Sequence, residues 1–267
     1  MMITVQSISA DLARVREKSP LVHNITNFVV MNNTANALLA LGASPVMAHA
    51  VEEVKDMVNI ASALVINMGT LNPQWVDGML EAGKAATAKS IPVVFDPVGV
   101  GATLYRNEVA ARILAECKPT FIRGNASEIM ALAKENVVTK GVDSSASSDS
   151  AIDAAKRLAQ ETGAVVVISG PEDFITNGQE VLSTQNGSTV MARVTGMGCT
   201  ATAVLGAFAG VNPNRMEAAT HAMAVMGIAG EIAASKSGGP GTLQLHFLDT
   251  LYNLDEDNIE EIYKSEA

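Results

Sequence analysis

Short unbroken apolar runs, "SPVMA", "ALVINMG", "IPVVFDP", "TFIRGN" and "AVVVISG", recur along this chain. Runs of that kind belong to strands buried on both faces of a parallel sheet, where alternation with polar residues disappears. Between them lie alanine-rich segments with helical spacing, among them "VEEVKDMVNIA", "PQWVDGMLEAGKAATAKS", "ARILAECK", "ASEIMALAKE" and "SDSAIDAAKRLAQETG". Ser, Asp or Pro stands near several of their starts, as helix N-termini favour. A strand-helix succession of this type is the signature of an α/β fold. After "AVVVISG" the pattern changes. "DFITNG", "QEVLST" and "STVMARV" are separated by Asn-Gly pairs, which predicts antiparallel hairpins with three strands. From Gly198 onward the chain reads as helical. The serine-rich stretch "DSSASSDS" at 143–150 is a loop within the fold rather than a linker between domains.

The amount of apolar material fits one domain spanning 1–267. Of 267 residues, 48% are hydrophobic and 17% charged, with mean hydropathy +0.22, enough for a single sizeable core. The formal net charge is −10. No basic stripe offsets it, which excludes a phosphate backbone as partner and with it a nucleic-acid function. Two cysteines, Cys117 and Cys199, are too few for a disulfide framework and indicate a reducing compartment. No basic region followed by an apolar core opens the chain, so a cytoplasmic location is expected. Residues 19–51 carry no Asp, Glu, Lys or Arg, but Asn24, Asn27, Asn32, Asn33 and Asn36 interrupt them too often for a membrane span.

In a parallel α/β sheet, ligands gather where strands end and helices begin. "FDPVGVGA" sets Asp96 at one such end, and "FIRGNASE" sets Arg123 at another with Glu128 in the following first helical turn. Two carboxylates on neighbouring strand ends suit Mg²⁺, held directly or through water. They suit equally a turn aspartate and a glutamate placed against a helix dipole.

"VTGMGCTATAVLGAFAG" adds a glycine loop. Gly196, Gly198 and Ala201 satisfy G-x-G-x-x-G/A between an expected strand and a helix, the pattern of a dinucleotide site. The context argues otherwise, because that fingerprint belongs to a first β-α unit followed by an acidic strand end, whereas Glu217 lies in a helical stretch. The physics of the loop remains. Glycines let backbone approach a ligand, and the N–H groups of Gly198, Cys199 and Thr200 are expected to point from a helix N-terminus toward an anion.

Taken together, "HNITN", "TANALLALGASPVMA", "DPVGVGA", "RGNASE", "KGVDS", "VTGMGC" and "GGPGT" occur in the order and approximate spacing of the hydroxyethylthiazole kinases, the thiamin-salvage members of the ribokinase-like superfamily, which the chain resembles from about Pro20 to Leu251. The resemblance implies a three-layer α/β/α fold with a mostly parallel central sheet. It also implies ATP-dependent phosphorylation of the primary hydroxyl of 5-(2-hydroxyethyl)-4-methylthiazole. Carried over by motif, Asn27, Met47 and Gly196 line the thiazole pocket, while Arg123, Ser169 and Gly198 contact ATP. Asp96 and Glu128 serve Mg²⁺, and Cys199 stands where the attacking hydroxyl meets the γ-phosphate. Met197 departs from the small residue expected between the two glycines. A homotrimer with active sites between subunits is implied as well.

The residues allow this chemistry independently of the resemblance. Phosphoryl transfer depends on positioning and charge stabilisation, which a few cations, Mg²⁺ and backbone N–H groups supply without a basic surface. Cys199 then acts as a weak base or a positioning group. An ordinary thiol is only a few per cent ionised at neutral pH. Two other readings stay open at this stage: a thiol enzyme using Cys199 as nucleophile with one of His23, His49, His221 or His246 as its base, and a nucleotide-binding regulator with no need for Asp96 and Glu128.

Overall fold

The structure, a computed structural model, describes residues 3–137 and 148–264. The "KGVDS" motif and most of the serine-rich stretch therefore lie outside the described residues. A sheet of eight strands runs through the molecule. The strands are β1 (Leu21–Ile25), β2 (Ser44–Val46), β3 (Ala63–Asn67), β4 (Val93–Asp96), β5 (Phe121–Asn125), β6 (Val165–Ser169), β7 (Asp173–Thr176) and β8 (Val181–Thr184), in the spatial order β2-β1-β3-β4-β5-β6-β7-β8. The first six pair in parallel. The last two are antiparallel additions.

Successive residues of the central strands feed two different cores, as the period of two in a strand requires. Val22, Val65, Val94 and Phe121 face one side. Leu64, Ile66, Phe95 and Ile122 face the other. The first side is covered by α1 (Val5–Lys18), α2 (Met31–Leu41), α8 (Met197–Ala209), α9 (Arg215–Ser235), α10 (Pro240–Asn253) and α11 (Glu256–Ile262). On the second side pack α3 (Val54–Ile60), α4 (Pro73–Lys89), α5 (Leu104–Cys117), α6 (Ala126–Val137) and α7 (Ser148–Thr162). This is a three-layer α/β/α fold with a mostly parallel central sheet, as the resemblance implies. Among the described residues, no helix is long and apolar enough to cross a membrane.

Several elements differ from the sequence expectations. "STVMARV" is not a third hairpin strand: Thr189–Arg193 form a 3₁₀ helix, opened by the Ser188 hydroxyl accepting from the Val190 N–H. Its short alternation of Val190, Ala192 and Val194 cannot distinguish a period of two from a turn of three. "SPVMA" forms a half-buried edge strand rather than one covered on both faces. The asparagine-rich segment holds β1, whose apolar run is broken by the buried His23 and Asn24. His23 Nε2 bonds the Ala48 carbonyl at 2.8 Å and Asn24 Nδ2 donates to the Val22 carbonyl at 2.8 Å.

Candidate active site

The polar residues of the sheet converge at the carboxyl ends of its parallel strands. Asn67 and Asp96 end β3 and β4 side by side in register, and Asn27 follows β1 two residues on. A hydrogen-bonded chain connects them. Asn27 Nδ2 donates to Asn67 Oδ1 at 2.9 Å, and Asn67 Nδ2 donates to Asp96 Oδ2 at 2.8 Å. The Thr202 hydroxyl donates to the same Asp96 oxygen at 2.8 Å. Cys199 joins at the other end, its Sγ 3.5 Å from Asn27 Nδ2.

Helix α8 aims its N-terminus at this cluster because the chain turns sharply at Gly196, whose φ of 86° lies in the left-handed region that favours glycine. No side chain caps that end. The Thr200 N–H is taken by the Gly196 carbonyl at 2.8 Å, which corrects the expectation that it points outward. The N–H groups of Met197, Gly198 and Cys199, the first three of the helix, have no intrahelical acceptor. Gly198 has a second reason to be glycine: a Cβ there would stand 2.7 Å from Arg123 Nη1. The guanidinium thus lies across the first turn of the helix, with Nε donating to Ser169 Oγ at 2.9 Å. A cation laid against the positive end of a helix marks a place for an anion.

Arg123, Ser169 and Gly198 share the wall of a cavity of about 480 Å³ with Asp173, Met191, Met223 and Met226. Met197 lines it as well, and on its other flank borders a small crevice formed by Asn33, Val194, Thr195 and Phe247. The cavity wall carries both charged and apolar side chains.

Three ionisable groups near it are displaced from their ordinary behaviour. Burial pushes Asp96 up to about 6 and Glu128 adds to the rise, while Arg123, Thr202 and Asn67 resist it. Its Oδ1 is buried without a hydrogen-bond partner. Asp173 is likewise pushed up to about 6 by burial, against the Gly170 N–H and the charge of Arg123. The Cys199 thiol is raised by burial and by Asp96, with hydrogen bonds to Asn67 and Asn27 opposing. The thiol is the resting form at neutral pH.

The other expected site residues are placed as follows. Glu128 caps its own helix: Oε2 accepts from the Asn125 N–H at 3.0 Å while the Glu128 N–H donates to Asn125 Oδ1 at 2.9 Å, a reciprocal capping box. Its Oε1 accepts from the Gly99 N–H at 3.0 Å, tying the loop after β4 to α6. Asp96 closes β4 and is wholly buried, with the Thr202 hydroxyl of α8 donating to it. Met47 follows the edge strand β2 and is half-buried, one strand out from Asn27. Among the described residues, no group of three or more His, Cys, Asp or Glu is arranged to hold a metal by itself.

Asn67, Thr202 and Asp173 were not anticipated. A signal for Asn67 existed, a polar residue closing an apolar strand as Asp96 does. Thr202 lies three residues after Cys199, hence on the same helix face.

No hydrogen bond among the described residues joins a histidine to Cys199. His23 bonds Ala48, His49 bonds Thr26 and stacks on Trp75 with centroids 4.2 Å apart, and His221 bonds Asp11 and Ser7. Among the described residues, then, no hydrogen-bonded histidine stands ready to serve Cys199 as the base of a thiol nucleophile. The dinucleotide reading also loses its preceding strand, since the 3₁₀ helix stands in that place.

Residues 12–257 match the model of the hydroxyethylthiazole kinase family. The chain belongs to the hydroxyethylthiazole kinase family. It is 56% identical over 260 residues to the hydroxyethylthiazole kinase of Syntrophus aciditrophicus, covering 97% of this chain and 96% of that one. The solved structure of the hydroxyethylthiazole kinase protein from Pyrococcus horikoshii superposes with a TM-score of 0.91 at 41% identity, over 98% of both chains. Bacillus subtilis pyridoxal kinase, solved as an ADP complex, shares the fold at a TM-score of 0.59 and 20% identity, covering 77% of this chain and 89% of that one. Membership of this family makes the cluster around Cys199 the candidate centre of a kinase.

Proposed function

We propose that this chain, read as a single kinase domain over 1–267, transfers the γ-phosphoryl group of ATP to the primary hydroxyl of 5-(2-hydroxyethyl)-4-methylthiazole. The product is the thiazole phosphate used in thiamin diphosphate biosynthesis and salvage. The observation that carries the reading is the meeting of two half-sites at the α8 N-terminus: Arg123, Ser169 and Gly198 on the cavity side, and Asn27, Asn67 and Asp96 behind Cys199 on the other. Nucleotide enters the 480 Å³ cavity with its phosphates toward Arg123 and the free N–H groups. Thiazole lies beyond Cys199, against Asn27, Gly196 and Met47. Its hydroxyl is then positioned in line with the γ-phosphate, the main requirement of this chemistry.

Cys199, a protonated thiol at neutral pH, is a poor base and acts chiefly by holding the hydroxyl. The residues fit Mg²⁺, since Asp96 presents a buried oxygen with no partner, the kind of hard donor this ion takes. Asp96 would hold the ion, and Glu128, whose oxygens already serve backbone N–H groups, would act through water. When bound, Mg²⁺ neutralises charge on the phosphates. With its two free thiols and no disulfide, the protein suits the cytoplasm.

The assembly is read as a homotrimer with active sites between subunits. Phe28 and Val29 directly follow Asn27 and are 65% and 63% exposed, an apolar rim of the sort a neighbouring subunit covers. Sedimentation of the purified protein should give three times the 27.8 kDa chain mass; a monomer overturns this part. The activity itself is tested by ATP consumption across three alcohols. With Mg²⁺ present, kcat/KM for hydroxyethylthiazole should exceed that for hydroxymethylpyrimidine or pyridoxal at least about tenfold, a difference of about 1.4 kcal/mol in transition-state binding. Equal rates on all three reject it.

A further inference from the structure

Asn186 and Gly187 lie between β8 and the 3₁₀ helix and form part of the wall of the large cavity, as do Met223, Met226 and Gly227 of α9. The Asn186 side chain is buried, and its hydrogen bonds run to a distant part of the chain. Its Nδ2 donates to the Ile262 carbonyl at 2.7 Å and its Oδ1 accepts from the Lys264 N–H at 3.0 Å. One carboxamide thereby pairs with the carbonyl of one residue and the N–H of the second residue on, as a neighbouring β-strand would. Glu231 of α9 completes the junction. Its Oε2 accepts from Asn186 Nδ2 at 3.1 Å and from the Gly187 N–H at 3.3 Å, and its Oε1 accepts from Lys264 Nζ at 2.7 Å. Helix α9 presses on the same point from inside, for a side chain on Gly227 would collide with the Asn186 carbonyl.

We propose that residues 262–264 clasp the wall of the nucleotide cavity through Asn186 and Glu231, which act as positioning residues for ATP, so that clasp closure and nucleotide binding favour one another. The inference rests on the reading of the cavity as the ATP site. The loop from 186 to 189 has left the sheet edge, and the wall it makes is only as fixed as its tethers. The tethers of Asn186 and Gly187 run to Glu231, to the last residue of α11 and to Lys264 just beyond it. An ordered wall binds nucleotide without first having to be ordered, which raises affinity. Thermodynamic reciprocity then requires the nucleotide to stabilise the clasp by the same factor.

The test is titration of the full-length protein with the non-hydrolysable ATP analogue AMP-PNP, with hydrogen exchange measured at the Lys264 amide. Lys264→Pro deletes the donor to Asn186 while leaving the preceding residue unstrained, because Tyr263 already has the extended conformation that a residue before proline adopts. It should weaken AMP-PNP binding by about fivefold, the factor for one lost hydrogen bond, and raise KM for ATP without a matching fall in kcat. Asn186→Ala removes more contacts and should weaken binding further. Lys264→Ala keeps the backbone donor and loses only an exposed ion pair, so its effect on affinity should stay within about twofold. In the unmodified protein, saturating AMP-PNP should slow exchange at Lys264. If Asn186→Ala fails to fold, Lys264→Pro carries the test alone. AMP-PNP affinity equal to that of the unmodified protein in Lys264→Pro, with exchange at Lys264 indifferent to the analogue, rejects the clasp and leaves the ATP site standing. Failure of the unmodified protein to bind AMP-PNP rejects both.

Discussion

Asp11 and Asp96 are equally shut away from water, yet their carboxyl groups are displaced in opposite directions. Burial raises Asp11 too, but hydrogen bonds from His221 and Asn212 and the charges of His221 and Arg14 outweigh it and hold the group below its ordinary value. Both oxygens are engaged: Oδ1 by Arg14, Oδ2 by Asn212 at 2.6 Å and by His221 at 2.5 Å. Asp96 has two donors on Oδ2 and none on Oδ1, and burial takes it to about 6. The two positions share residue type and inaccessibility to water, but Asp96 lies deeper in the protein, so burial weighs more heavily on it. They differ also in whether the fold supplies a partner for the second oxygen. At Asp11 it does, and the group ties α1 to α9. At Asp96 it does not, as expected where a site reserves charge for a ligand.

The sharpest contrast comes from removing each charge. Asp96→Asn should lower kcat by about 10³-fold, at the upper end of what one electrostatic group contributes. The same change should stabilise the free protein at pH 7.5. The folded-state value lies above the 3.8 of an ordinary aspartate, so between about pH 4 and 6 the folded chain keeps a proton the unfolded chain has released, and stability is lost as pH rises through that window. The asparagine escapes that loss, worth roughly 3 kcal/mol at most. Melting curves of the two proteins should therefore converge at pH 4. Asp11 has the reverse sign, stabilising above about pH 4 and losing that contribution as pH falls. Asp11→Ala strands His221 and Asn212 and should cost about 3–5 kcal/mol at pH 7.5, with kcat per folded molecule little changed. A destabilised Asp96→Asn at pH 7.5 breaks the comparison.

The same contrast explains what could be read from the sequence. Strands β3 to β6 were legible because burial on both faces leaves apolar runs that no surface helix imitates. Asp96, Arg123 and the glycine loop were legible because charged residues and glycines at strand ends have few other uses. Strand β1 was not, since His23 and Asn24 break its run and find their partners only in the folded chain. Asn67 and Thr202 are neutral residues whose importance arises from register and helix face, quantities that exist only once β3, β4 and α8 have assembled. For a buried carboxylate the sequence shows the charge and its place, a strand end for Asp96 and a helix for Asp11, but not the partners that set the direction of its shift.

Cys199 sharpens the comparison from the neighbouring side, because Asp96 contributes to raising its thiol. Cys199→Ala should lower kcat by about 10²-fold, within the range of general-base and positioning effects. Cys199→Asp should retain or exceed the unmodified kcat. An aspartate ionises far more readily than a thiol, and the added charge near Asp96 is offset by Mg²⁺, Arg123 and the free N–H groups of α8. An aspartate variant as inactive as the alanine one, while still binding ATP and thiazole, rejects Cys199 as the base position.

The smallest expected effect concerns Glu128, which pairs with Asp96 in the metal reading but resembles Asp11 in its bonding, since both of its oxygens accept hydrogen bonds from N–H groups. In Glu128→Gln one oxygen remains an acceptor, while the new amide group faces a backbone N–H, donor against donor. That should cost about 1–2 kcal/mol of stability. The charge lost near the N-terminus of α6 adds a few tenths of a kcal/mol. If Mg²⁺ reaches Glu128 only through water, half-saturation by Mg²⁺ should rise by no more than about fivefold, a loss near 1 kcal/mol, against more than about tenfold for Asp96→Asn if the free oxygen of Asp96 is the direct ligand proposed above. Side-by-side Mg²⁺ titrations of turnover decide the matter. Equal shifts in the two variants show that Glu128 holds the ion as directly as Asp96 does, and that an unpartnered oxygen is not what marks a metal-holding carboxylate in this fold.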